Sequence, residues 1–367
     1  MRILFCGGGT GGHVSPAIAI AEAAKGKFGI NEFAFVGRRG GDENKAITKK
    51  AYKLYEIEIS GFVRKISFEN IKRLLKISHA LKEAKEIITQ FKPDAVIGTG
   101  GYVSWPVIKA AQKMKIPTYI HESNAFPGLV TRLLSKKCDK VFLNVKEAKE
   151  NLKRQDNVKV VGNPVEERFY NTDRRRAREA LGLKKDEFLI CSYGGSGGAE
   201  KMNEIILGFI KEYSSKNPKI KHIHASGKRY YGKIKETSPE LINGKRGVFI
   251  RPYIDDLHIA LNAADIVIAR CGAMTLSEIS ASKAAAILIP SPNVTNNHQY
   301  VNAKALADKN AAKIIEEKDL SVKALIETVD FFVKNPKERE ILSNNIGAQF
   351  HKHAEEEMLK TILESAR

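Results

Sequence analysis

The decapeptide GGGTGGHVSP, residues 7–16, stands behind the apolar run Ile3-Leu4-Phe5 and narrows the folds open to this chain more than any other stretch. A short apolar run, a glycine-rich turn and then a helix is the order in which bare backbone N–H groups and a helix N-terminus hold an anion. Ser15 and Pro16 read as the start of that helix, a capping hydroxyl followed by a proline whose missing N–H costs nothing there. His13 is the one titratable group of the turn. A tight turn that only packs strand on helix would leave the same trace.

Further apolar runs at 33–36, 95–97, 118–120, 141–143 and 158–161 alternate with helical-length segments, the pattern of a parallel sheet with helices on both faces. Ligands on such sheets bind beyond the carboxyl ends of the strands. That puts three more loops beside the first: GTGGYVSWP (98–106), HESN (121–124) and GNP (162–164). In the second glycine loop Ser104 reads as a cap and Pro106 as an early helix residue. Two anion-ready loops suggest a diphosphate or two phosphate-bearing ligands. His121 and Glu122 read either as site residues or as a hydrogen-bonded structural pair.

The pattern restarts in the second half, with runs at 188–192, 222–225, 247–250, 266–269, 286–289 and 312–315 and a glycine turn GGSGGA at 194–199. At 367 residues the chain is long for one core, and the boundary is expected near Gly162. This gives domains 1–162 and 163–343, with a last helix, 344–367, returning to the first domain through a stripe of Ile346, Phe350, Ala354, Met358 and Ile362. Arg174, Arg175, Arg176 and Arg178 read as a solvated helix face. In RCGAMTLSE (270–278) Gly272 opens a helix that carries Thr275, Ser277 and Glu278. A helix N-terminus suits phosphate and a carboxylate slightly inside it suits a ribose diol, so one nucleotide would satisfy both. His298 and Gln299 offer an imidazole and an amide to sugar hydroxyls.

The formal net charge of +19 calls for an anionic partner or reflects general solubility. Cys6, Cys138, Cys191 and Cys271 form no CxxC pair, which favours a reducing compartment without zinc or disulfides. No run reaches the ~20 apolar residues of a membrane span, and no signal-peptide pattern opens the chain, so a cytoplasmic protein with at most peripheral membrane contact is expected. In 61–82 Phe62, Val63, Ile66, Phe68, Ile71, Leu74, Leu75 and Ile77 are interleaved with Arg64, Lys65, Lys72, Arg73 and Lys76. Apolar residues ringed by cations dock on anionic lipid, and a core-facing helix with a basic outer side reads the same way. Trp105 is an interfacial anchor or a core ring.

The ordered set GGTGGH, GGYVS, HESN, GNPV, GGSGGA, IDDL, RCGAMTLSE and HQ resembles the MurG family of bacterial peptidoglycan glycosyltransferases along essentially the whole chain. The resemblance implies a GT-B fold, two Rossmann-like α/β domains facing across a cleft. It implies inverting transfer of N-acetylglucosamine (GlcNAc) from UDP-GlcNAc to the C4 hydroxyl of the N-acetylmuramyl (MurNAc) sugar of undecaprenyl-diphospho-MurNAc-pentapeptide (lipid I), giving lipid II. By that likeness His13 is the base and Glu122 orients it or the acceptor. The donor set is Thr10, Gly11, Gly12, Asn124, Ser196, Ile254, Ala273, Met274, Thr275, Leu276, Ser277, Glu278 and Gln299, with Ile254 meeting uracil through its backbone and Glu278 taking the ribose. The acceptor diphosphate falls to Gly9, Thr10, Gly11, Gly12, Gly100, Gly101, Tyr102 and Ser104. No metal ligand set or cofactor is implied, so catalysis is expected to be metal-independent. The likeness also implies a peripheral protein on the cytoplasmic face of the membrane, against an anionic surface, with room for partners among the cell-wall synthesis proteins. Three positions depart from the family pattern: Glu166 where arginine is common, Gly197 for glutamine and Cys271 for serine.

Three rivals share parts of this reading. A nicotinamide enzyme needs a ribose-binding carboxylate after the second strand, where this chain has Val36-Gly37-Arg38-Arg39, although the phosphorylated ribose of NADP would accept arginine there. A nucleic-acid-binding protein would leave the glycine loops without purpose, and no nucleic-acid partner is expected. A UDP-GlcNAc 2-epimerase of the same architecture needs the donor site but no acceptor loop.

Overall fold

The computed structural model describes residues 1–41, 44–60, 68–195, 197–242, 244–294 and 297–365, with backbone alone at 68–76 and 245. Contacts divide the chain into two compact units, Met1–Glu166 with His351–Arg367, and Glu167–Phe350. The first crossing thus falls after Glu166, where the sequence reading set it after 162.

The first unit holds seven strands: β1 (Arg2–Cys6), β2 (Glu32–Arg38), β3 (Leu54–Ile57), β4 (Ala95–Gly98), β5 (Thr118–Glu122), β6 (Lys140–Leu143) and β7 (Val158–Val160). They are all parallel, in the order β3-β2-β1-β4-β5-β6-β7. Side chains alternate across a strand, so both faces of a covered parallel sheet must be apolar. In β1, Leu4 and Cys6 join the core that holds Ala80, Ala84 and Ile108, while Ile3 and Phe5 join the one that holds Ile18, Ile20, Met358 and Ile362. The edge strand β3 escaped the sequence reading because its residues, Leu-Tyr-Glu-Ile, form no continuous apolar run.

The second unit holds β8 (Phe188–Tyr193), β9 (Ile220–Ala225), β10 (Val248–Arg251), β11 (Ile266–Ala269), β12 (Ala286–Leu288) and β13 (Lys313–Ile314). Their order, β10-β9-β8-β11-β12-β13, repeats the same parallel winding.

Three local expectations change. The first helix, Gly11–Phe28, begins at the glycines, with extended Thr10 as its cap residue. Ser15 and Pro16 therefore lie inside it, Ser15 Oγ donating back to the Gly11 carbonyl at 3.2 Å. The single last helix is two, Pro336–Gly347 and Ala354–Ser365, so Ile346 and Met358 belong to different helices and different units. His353, at φ 66°, stands directly before the second of them. The arginine cluster is not all solvated: Arg174 and Arg178 both ion-pair with Asp265, at 2.7 and 3.1 Å, and Arg178 is largely buried, whereas Arg175, 81% exposed, and Arg176 face solvent. Trp105 is half-buried against the first unit's core, beside Tyr102.

Of the basic-apolar stretch, residues 61–67 and the side chains of Lys72, Arg73 and Lys76 lie outside the described residues. The helix Phe68–Phe91 turns Ala80, Ala84, Ile87 and Ile88 into the core.

Candidate active site

In the first unit the two glycine loops interlock. β1 and β4 pair side by side, so the turns after Cys6 and Gly98 emerge at one edge. Thr99 N donates to the Cys6 carbonyl at 2.9 Å, and Thr99 Oγ1 donates to the His13 carbonyl at 2.6 Å. Ser104, expected as a cap, instead donates its hydroxyl to the carbonyls of Cys6 (2.9 Å) and Gly100 (2.8 Å), and so ties the loops together. Tyr102 lies on Gly9, where an added Cβ would sit 2.7 Å from its ring.

His13, third residue of the first helix, has Nδ1 3.2 Å from the Thr99 carbonyl oxygen. A carbonyl only accepts, so Nδ1 carries the proton and a neutral ring keeps its lone pair on Nε2. The glycines make room for this ring: a Cβ on Gly100, at φ 104°, would fall 2.6 Å from Nδ1. Gly11 and Gly12 occupy the first two helical positions, whose N–H groups have no partner within the helix.

In the HESN loop Glu122 is engaged by the residues that follow it. Glu122, buried at the end of β5, accepts from Asn124 N (3.1 Å) and Asn124 Nδ2 (3.0 Å) through Oε1. Its Oε2 accepts from Gly128 N (2.9 Å) and Thr131 Oγ1 (2.6 Å). Both oxygens thus accept from the chain that follows, through Thr131 of the next helix, and Oε1 holds Asn124. His121 is structural: Nε2 donates to the Gly162 carbonyl at 3.0 Å, and burial pushes its pKa down to about 4, so the ring is neutral. The charge reversal at Glu166 is met locally, since Lys50 Nζ sits 2.9 Å from Glu166 and 3.0 Å from Glu22.

In the second unit the helix Ala273–Ala281 starts behind extended Gly272, as the sequence implied. Met274 and Leu276 are buried, so these two can offer a ligand only backbone, whereas Thr275, Ser277 and Glu278 stay partly open. Gln299 Oε1 accepts from Cys271 N (3.2 Å) and Ser291 N (2.9 Å), fastening together the loops after β11 and β12. Ile254 is half-buried between β10 and the helix Leu257–Ala263. Of the glycine turn after β8, Ser196 lies outside the described residues. A Cβ on Gly198 would sit 2.8 Å from the Tyr230 ring, while Gly197 faces open space.

Sequence reasoning passed over two residues that build these sites. Thr99 is invisible as a functional residue until its hydroxyl is seen on the His13 carbonyl. Arg270, 7% exposed, donates to the carbonyls of Ile289 and Pro290, both at 3.2 Å, and pairs with Glu317. Its only signal was a cation at the end of an apolar strand, where an unpaired charge would be costly.

Models of the glycosyltransferase family 28 N-terminal and C-terminal domains match residues 3–143 and 189–358. The UDP-N-acetylglucosamine--N-acetylmuramyl-(pentapeptide) pyrophosphoryl-undecaprenol N-acetylglucosamine transferase of Thermoanaerobacter sp. (strain X514) is 41% identical over 337 residues, 92% of either chain. The crystal structure of Acinetobacter baumannii MurG superposes with a TM-score of 0.72 at 25% identity, over 99% of this chain and 100% of that one. The Neisseria meningitidis UDP-GlcNAc 2-epimerase bound to UDP-GlcNAc matches with a TM-score of 0.68 over 99% and 100% of the two chains, but at 15% identity it shares the fold alone. With both domain models matched and this degree of identity along nearly the whole chain, the protein belongs to glycosyltransferase family 28, among its MurG members.

Proposed function

We propose that this protein moves GlcNAc from UDP-GlcNAc to the C4 hydroxyl of MurNAc in lipid I, producing lipid II for peptidoglycan synthesis. The observation that carries the reading is 41% identity over 92% of the chain to a transferase named for this reaction. An epimerase is less supported, because its solved relative shares only the fold.

The proposed chemistry draws on the groups of both units. His13 Nε2 takes the proton of the C4 hydroxyl as that oxygen bonds to the anomeric carbon, and the bond from that carbon to the diphosphate breaks with the electron pair leaving on UDP. The backbone carbonyl of Thr99 fixes the tautomer and supports the imidazolium that forms. Gly9, Thr10, Gly11, Gly12, Gly100, Gly101 and Tyr102 receive the acceptor diphosphate, and Ser104 holds their two loops in register. Asn124, set by Glu122, meets the donor sugar. On the donor unit the N–H groups at the start of the helix Ala273–Ala281 and the glycine turn with Ser196 receive the UDP phosphates, Glu278 the ribose, the Ile254 backbone the uracil and the Gln299 amide the sugar.

No helix of the described residues is long and apolar enough to cross a membrane. Leu129 and Leu133, 60% and 58% exposed, stand one turn apart on the short helix Leu129–Leu134, close in sequence to Arg132, Lys136 and Lys137. These two leucines, and by the sequence reading the stretch 62–81, are assigned to peripheral docking on an anionic, cytoplasmic membrane face, where a lipid-anchored acceptor resides. Sedimentation with anionic liposomes should fall on Leu129→Ser/Leu133→Ser, and binding independent of anionic lipid would sink the docking assignment.

The decisive assay is transfer of radiolabel from UDP-GlcNAc to a short-chain lipid I analogue. Label should reach the lipid with or without EDTA, and His13→Ala should cut kcat by roughly two to four orders of magnitude. Retained activity in that variant would remove His13 from the role of base.

A further inference from the structure

Tyr193 closes β8, the strand between β9 and β11, and pairs there with two alanines, Ala225 and Ala269. The glycine turn begins at the next residue. The side chain is 6% exposed, and its hydroxyl has no hydrogen-bond partner among the described residues. A phenylalanine would fill the same space without burying a hydroxyl, so the oxygen is a cost unless it is paired. Burial first, and then the carboxylate of Glu278, Cys191 and Tyr253, raise its pKa well above the ordinary tyrosine value, which keeps it a proton donor. Glu278 stands in the second turn of Ala273–Ala281, the residue placed on the ribose.

We propose that the Tyr193 hydroxyl is a further substrate-binding group, donating a hydrogen bond to the ribose of the bound nucleoside diphosphate beside Glu278. This rests on the nucleotide-donor reading above and adds to it a residue outside the resemblance. Small side chains on both flanking strands, Ala225 and Ala269, keep the end of β8 uncrowded. In the turn behind it Gly194 and Gly198 pack closely on Ala199 and Tyr230, while between them Gly195, at φ 86°, and Gly197 meet nothing within 4 Å of an added Cβ. A ligand hydroxyl arriving here would satisfy the one polar atom that the strand leaves buried and unmatched.

The test is calorimetric titration of the full chain with UDP and with uridine, for wild type and Tyr193→Phe. The variant should keep or raise its ligand-free thermal midpoint while weakening both ligands roughly three- to tenfold, the worth of one neutral hydrogen bond. The KM for UDP-GlcNAc should rise in the same proportion with kcat within about twofold. In a Glu278→Gln background the same substitution should have a smaller effect, because the two groups share one ligand end. Unchanged UDP affinity in Tyr193→Phe would overturn the proposal, and a loss confined to UDP would overturn its ribose assignment. A wild-type chain that binds no UDP would instead overturn the nucleotide reading itself, before any variant is compared.

Discussion

The Thr99 carbonyl oxygen lies 3.2 Å from Nδ1 of His13, and the Thr99 hydroxyl returns a bond of 2.6 Å to the His13 carbonyl. One residue of the second loop thus holds both the ring and the backbone of the proposed base. Thr99→Val keeps the shape and removes the hydroxyl bond, which should cost about 1 kcal/mol of stability and lower kcat more than it raises the donor KM. An unchanged kcat would show that the backbone bond alone fixes the ring.

Gly100→Ala places a Cβ 2.6 Å from His13 Nδ1 at a φ of 104°. The imidazole must shift, so transfer should fall at least tenfold while UDP affinity of the purified variant stays near wild type. Equal loss of both would show damage beyond the His13 loop.

Glu122 makes four hydrogen bonds inside one loop, so Glu122→Ala should destabilise the protein by about 2–4 kcal/mol in urea unfolding. Thr131→Val, which removes only the 2.6 Å bond, should cost about 1–2 kcal/mol. A stable Glu122→Ala protein without activity would return Glu122 to the chemistry.

Acid stability gives an independent check. His222 and His224 share the Ser192 hydroxyl at 2.8 Å each, Ser214 caps His222 at 3.0 Å, and Phe209 packs on the His222 ring. Burial lowers His222 well below the usual range and takes His224 and His121 down to about 4. These rings are neutral when folded, while the unfolded chain binds protons below about pH 6.5. Their stabilisation is complete above pH 6.5 and is lost as pH falls toward 4, by about 1.4 kcal/mol per pH unit for each ring. His121→Asn should make the pH slope of the urea midpoint shallower, and an unaltered slope would contradict the buried neutral state.

Asp265 gathers Arg174 and Arg178 and also accepts from Leu189 N at 2.8 Å. Asp265→Ala should therefore cost about 3–5 kcal/mol by thermal or urea unfolding, whereas Arg175→Ala should stay within about 0.5 kcal/mol. Similar small losses in both would restore the solvated-face reading of the cluster.

What the sequence disclosed is what parallel sheets force into it. Central strands such as β4 and β11 are buried on both faces and read as unbroken apolar runs, and the glycine turns behind them mark the ligand edge. The edge strand β3 carries Glu56 and two half-buried residues, so its run is broken. Helix starts were misplaced where a hydroxyl had two options: Ser15 and Ser104 turn to carbonyls instead of capping N–H groups. The pairing of Arg174 with Asp265 spans 91 residues, and nothing local in RRRAR records it. The break before Ala354–Ser365 rests on a histidine at positive φ, a conformation with no reliable sequence mark outside glycine.

The helix Ala354–Ser365 lies on the first helix, where Met358, Leu359 and Ile362 finish the apolar core begun by Ile3 and Phe5 and Lys27 meets Glu356 at 2.6 Å. Chain order and core order therefore disagree. On a ribosome, the sheet made first must wait, one face only partly covered, until all of Glu167–Phe350 has been translated and the closing helix emerges. The earliest-born half of this protein is the last to become whole.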